Sequence, residues 1–133
     1  MFVRATDQQK PDGNEPSYAD KHDKITEYIQ RIWQAMPKGH DGKQDITQYT
    51  EMNLRLQKIL TPPPWNLKNA MRIAEQDWIL DAQGQTHLDF SKFVESMFQL
   101  LNAWAEPRTQ KEYVAILDRI LLVCFLLELS NRA

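Results

Sequence analysis

DWILDAQGQTHLDFSKFVESMF, Asp77 to Phe98, divides into the end of one helix, a short polar loop, a single apolar residue and the start of a second helix. A polar loop between helices is a natural place to look for a hard cation, which takes six to eight oxygen ligands. From Asp81 the segment offers oxygens at Asp81, Gln83, Gln85 and Asp89, and then the ammonium of Lys92. An ammonium cannot donate an oxygen to a cation, and it repels one. The loop is short of oxygen ligands, so no metal and no other cofactor is expected. Asp81 and Asp89 are left with bracing roles: Asp81 accepting from loop N–H groups, and Asp89 capping the helix that follows.

Outward from this segment, apolar residues three and four apart predict helices on both sides. Residues 66–105 hold a third helix, Leu67 to about Leu80, burying Leu67, Ala70, Met71, Ala74 and Trp78, with Asn66 as N-cap. A fourth helix, Phe90 to Ala105, presents Phe90, Phe93, Val94, Met97, Leu101 and Trp104. Residues 17–60 repeat the plan. Ile25, Tyr28, Ile29, Ile32, Trp33 and Met36 form the stripe of a first helix that Pro37 ends. The polar loop KGHDGKQD and Ile46 lead into a second helix, about Thr47 to Leu60, with Tyr49, Met52, Leu56, Ile59 and Leu60 on one side. Thr61-Pro62-Pro63-Pro64 is a stiff connector, and Trp65 after it either plugs the seam between the halves or serves as a contact residue. Residues 1–16, with Pro11, Gly13 and Pro16 among polar residues, read as a disordered tail. No strand-like alternation is sustained, and the chain is expected to be all-α, one helical domain over 17–133.

Composition narrows the function. The chain has 133 residues, enough for one core, and a formal net charge of −2. That balance gives no basic footprint for nucleic acid. Met1-Phe2-Val3 is followed at once by Arg4, which is not a signal peptide, so an intracellular, reducing location is expected. His22, His40 and His87 form no zinc-type spacing, and no phosphate-binding glycine motif is present. Cys124 lies inside an apolar run, where a cysteine is a small hydrophobe and not a nucleophile. An enzyme is not expected.

A fifth helix is predicted from Pro107 to about Leu129, within 107–130. In its first half Lys111, Glu112, Ala115, Asp118 and Arg119 are polar or small, opposite Tyr113, Ile116, Leu117 and Ile120. Continued at 100° per residue, the polar side becomes Leu122, Phe125, Leu126 and Leu129. The apolar run from Ile120 to Leu127 is far short of the ~20 residues that span a bilayer. One side of this half can cover the groove between the paired helix–loop–helix units. The other, Leu122, Phe125, Leu126 and Leu129, is expected to hold a protein partner or to mediate self-association.

The two helix–loop–helix segments resemble a pair of degenerate EF-hands, over about residues 20–130. In the EF-hand's loop of about twelve residues, the ligands fall at positions 1, 3, 5, 7, 9 and 12, with Gly at 6. Asp81 to Lys92 puts Thr86 where that Gly belongs, Leu88 at the apolar eighth position, and Lys92 in place of the bidentate Glu. Aligning Ile46 with Leu88 puts Gly39, Asp41, Lys43, Asp45, Thr47 and Thr50 at the ligand positions of the first loop. Ile46 and Leu88 are then expected to pair in a short antiparallel contact joining the hands. The run Asp77-Trp78, Asp81, Gly84, Leu88-Asp89-Phe90, Phe93, Phe98, Leu101, Trp104 and Glu112-Tyr113 further resembles the calcium-hand-like domain of flagellar and ciliary proteins. That resemblance implies a non-enzymatic interaction module of a cytoskeletal or flagellar assembly, not regulated by calcium. The alternatives are a calcium sensor with atypical loops, or a membrane-peripheral adaptor held by the C-terminal apolar helix, which lacks the usual basic flank.

Overall fold

The computed structural model of the chain describes residues 1–2 and 18–132, with side chains described for 1–2 and 24–126. Among these residues the protein is all-α: α1 Tyr18–Ala35, α2 Ile46–Leu60, α3 Leu67–Ala82, α4 Phe90–Trp104 and α5 Gln110–Arg132. The helices begin and end where local chemistry directs. Asp45 caps α2 in a capping box with Gln48, Asn66 caps α3, and Asp89 caps α4 by accepting from Lys92 N. At the end of α1 the Lys38 ammonium donates to the carbonyls of Trp33 and Met36, the first of which also accepts from Met36 N at 3.1 Å. It also lies 5.2 Å over the Trp33 ring, and burial lowers its pKa.

α5 starts at Gln110 and not at Pro107. Thr109 supplies the cap, its hydroxyl accepting from Glu112 N at 3.2 Å, so Pro107 falls in the turn before the helix. Arg108 Nε donates to Asn102 O at 3.0 Å and the Tyr113 hydroxyl to Asn102 Oδ1, fastening the start of α5 to the end of α4.

α1 packs most extensively against α5, and α2 against α3; smaller contacts join α1 to α4, α2 to α5 and α3 to α4. The core forms from Ile25, Ile29, Ile32, Met52, Leu56, Phe93, Met97, Leu100, Leu101, Leu117 and Ile120, all fully buried. Trp33 stacks on Phe93 at 4.8 Å between α1 and α4. Two expected core residues of α3 lie outside. Leu67 and Met71 are 57% and 44% exposed, because α3 turns Ala70, Ala74, Asp77 and Asp81 inward instead. Trp104 is 38% exposed and not core. Of the expected tail, residues 3–16 lie outside the described residues. Met1 does not trail: it is buried, and Phe2 meets Trp104 edge-on at 6.1 Å.

The two inter-helix loops are joined by one antiparallel bridge. Gln44 and Leu88 exchange both backbone hydrogen bonds, Gln44 N to Leu88 O at 3.0 Å and Leu88 N to Gln44 O at 2.8 Å. The partner of Leu88 is therefore Gln44, two residues before the expected Ile46, which is 48% exposed. The capping box explains the shift. Asp45 caps α2, so Ile46 is already the first helical residue and its backbone has left the extended geometry that a bridge needs.

Candidate interaction site

Two features stand out above the packing. The first is a buried polar ladder between α2 and α3. Tyr49, Asn53 and Gln57 recur every fourth residue along α2 and share one face. Opposite them α3 presents Ala70, Ala74, Asp77 and Asp81, where the two alanines let the helices approach. The Tyr49 hydroxyl donates to Asp81 Oδ2. Asn53 Nδ2 donates to Asp77 Oδ2 at 2.9 Å, and Gln57 Nε2 to both Asn53 Oδ1 at 2.7 Å and Ala70 O at 3.0 Å. Tyr49, Asn53, Asp77 and Asp81 have no exposed surface. The amino group of Met1 lies 3.4 Å from Asp81 Oδ1 and 4.0 Å from Asp77 Oδ1. Burial, then the charges of Asp81 and Asp77, raise the Tyr49 pKa well above its ordinary value.

This geometry gives Asp81 a place in the ladder that the sequence reading did not assign it. The Tyr49 hydroxyl donates to its Oδ2 and the Met1 amino group lies beside its Oδ1, both inside the domain. Asp89 does act as the cap, accepting from Lys92 N at 2.9 Å, and the Lys92 ammonium sits 3.9 Å from its other oxygen. The loops turn by left-handed backbone at Gly42 (φ 75°), and at Gln83 and Gly84 (φ 54° and 81°). With Gln44 opposite Leu88, Gly42 takes the sixth place of the first loop, Asp45 the ninth and Gln48 the twelfth. These residues do not fit calcium. Asp81 is turned inward, Asp45 and Asp89 are engaged as helix caps, and Gln48 and Lys92 stand where a bidentate carboxylate is needed. Among the described residues no three His, Cys, Asp or Glu side chains converge as a metal-ligand set.

The second feature is the outer side of α5. Tyr113, Leu117, Ile120 and Cys124 are buried on the side facing the domain. Leu122, Phe125 and Leu126 are 57%, 54% and 54% exposed. The Leu129 side chain lies outside the described residues. A cleft of about 370 Å³ lies between α2 and α3, lined by Ile46, Thr50, Lys68, Met71, Arg72 and Glu75. Trp65 is half-buried beside α2, with the Lys58 ammonium 4.7 Å over its ring, so it packs locally. No described helix is long and apolar enough to cross a membrane.

Sequence reasoning missed the ladder. Its signal was present as Tyr49-Asn53-Gln57 and Asp77-Asp81, two polar rows at four-residue spacing, one accompanied by alanines. Comparison with protein-family models, curated proteins and solved structures finds no match to this chain.

Proposed function

We propose that this protein is a non-enzymatic interaction module of a cytoskeletal or flagellar assembly, built as a pair of EF-hand-like units that work without a metal switch. The observation that carries the proposal is the outer side of α5, where Leu122, Phe125 and Leu126 are each more than half exposed on one helix face. Fully burying such a side chain is worth about 1.5–3 kcal/mol, and a contiguous apolar patch on a soluble domain marks a contact surface. Two further observations support the metal-free part. The Gln44–Leu88 bridge joins the loops as paired hands are joined. Asp81 and Asp89 each have an ammonium nearby from within the chain, that of Met1 and that of Lys92. The cytoskeletal assignment draws on the sequence resemblance described above.

The test is affinity capture from a cytoskeletal extract, with and without a calcium chelator, by the wild-type chain and by a Phe125→Asp, Leu126→Asp variant. The expected result is a cytoskeletal partner held equally in both buffers and lost in the variant. Capture that depends on calcium, or that survives the double substitution, contradicts the proposal.

A further inference from the structure

Residues 1–2 are seated inside the domain. Met1 is 3% exposed and joins the apolar core, while Phe2 packs against that core and meets Trp104 of α4 edge-on. Phe2 holds left-handed backbone (φ 35°), an uncommon state for a bulky residue that persists where surrounding contacts hold it. The Met1 amino group ends beside two carboxylates of α3, 3.4 Å from Asp81 Oδ1 and 4.0 Å from Asp77 Oδ1, and neither it nor they reach solvent. Asp77 and Asp81 lie one turn apart on the same face of α3. From α2 they receive neutral donors, the Asn53 amide and the Tyr49 hydroxyl, whereas Met1 brings a positive charge. Two like charges buried side by side are costly, and a cation between them offsets that cost.

We infer that the pocket of Asp77, Asp81 and Trp104 is a recognition site for an unmodified α-ammonium followed by apolar side chains, and that the chemical state of the Met1 amine switches the docking of residues 1–2. The inference is independent of the outer side of α5. Each part of the occupant is read by a different part of the pocket: the ammonium by the carboxylates, the Met1 side chain by the core, the Phe2 ring by Trp104. Acylation defeats the first of these. With an acyl thioester as donor, a C–N bond forms at the amine, the C–S bond breaks, and the departing thiolate takes the proton. The product is an amide without charge, with one N–H donor where the ammonium had three, and its acyl carbons need room beside carboxylates that are fully enclosed. The docked amine is in turn shielded from an acyl donor, so docking and acylation exclude one another. A chain acylated before it folds leaves Asp77 and Asp81 without the Met1 cation and residues 1–2 outside the pocket.

The test compares the full chain carrying a free Met1 amine with the same chain carrying an Nα-acetyl group, each state verified by intact mass. With ¹³C in the methionine methyls, the Met1 signal of the acetylated chain should move to the position of an exposed methionine, while the buried Met52 and Met97 methyls keep their folded positions. The urea midpoint should fall by about 1 M or more, as expected when one partner of a buried ion pair is lost. A cycle with Asp77→Asn, Asp81→Asn assigns that loss to charge. The carboxamide oxygens still accept from Tyr49 and Asn53 but need no cation, so acetylation should shift this variant's midpoint by less than half as much. Asp81→Asn alone closes the cycle should the double variant not fold. An acetylated chain that folds only in the Asn background also supports the inference. A Met1 methyl signal that stays put on acetylation, an unchanged midpoint, or an equal shift in the Asn variants overturns it.

Discussion

Asn53 and Asp77 face one another across the α2–α3 seam, Nδ2 2.9 Å from Oδ2, with neither side chain reaching solvent. A carboxylate held this way is costly to strand. The amide of Asn53 also accepts from Gln57 Nε2, so one residue connects α2 internally and ties it to α3.

Asn53→Ala is expected to cost on the order of 2 kcal/mol, because it withdraws a donor from a buried charged acceptor and leaves Gln57 short of a partner. Urea denaturation measures this directly. A loss within ~0.5 kcal/mol, the usual range for surface positions, would show that the ladder contributes little to stability.

Tyr49 makes stability fall in alkali. Its phenol is held well above the ordinary value of 10.0, chiefly by burial and then by Asp81 and Asp77. Above that ordinary value the unfolded chain sheds the Tyr49 proton while the folded chain keeps it. The unfolded state then binds fewer protons, and stability declines as pH rises. The stabilisation is complete below the unfolded pKa and is lost on the way up through the folded one. Between about pH 9.5 and 11 the urea midpoint of wild type should fall more steeply than that of Tyr49→Phe.

Calcium at millimolar concentration should leave the melting temperature where an equal ionic strength of sodium chloride leaves it. Lys92→Glu should behave the same way, although it restores the missing carboxylate, because Asp81 stays turned inward and Asp89 stays committed to capping α4. A ligand bound only by the folded form raises stability by RT ln(1 + [L]/Kd), about 2.7 kcal/mol at a hundredfold excess over Kd. A calcium-specific rise in either chain contradicts the inward placement of Asp81.

The two sides of α5 should respond oppositely to truncation. Leu117 is fully buried, and Leu117→Ala should cost about 2–5 kcal/mol. Leu122→Ser and Leu126→Ser, on the exposed side, should change monomer stability by no more than ~0.5 kcal/mol. Thermal or urea unfolding of the three variants at low protein concentration separates these outcomes.

Periodicity determined much of this molecule. The stripes of α1, α2 and α4, the caps Asn66 and Asp89, and the two-faced character of α5 were all legible in the sequence, since each depends on residues within one or two turns. Tertiary structure alone decided the rest. Whether Gln44 or Ile46 meets Leu88 depends on where the capping box ends the extended backbone and starts α2, which the spacing of apolar residues does not register. The inward turn of α3 is the clearest case. Leu67 and Met71 are the more apolar residues, yet Ala70, Ala74, Asp77 and Asp81 face the domain. Two buried carboxylates are tolerable because Tyr49 and Asn53 arrive from α2 at the matching height and the Met1 amino group lies beside them. Burial of a charge is decided by its partners, and those partners lie outside its own helix.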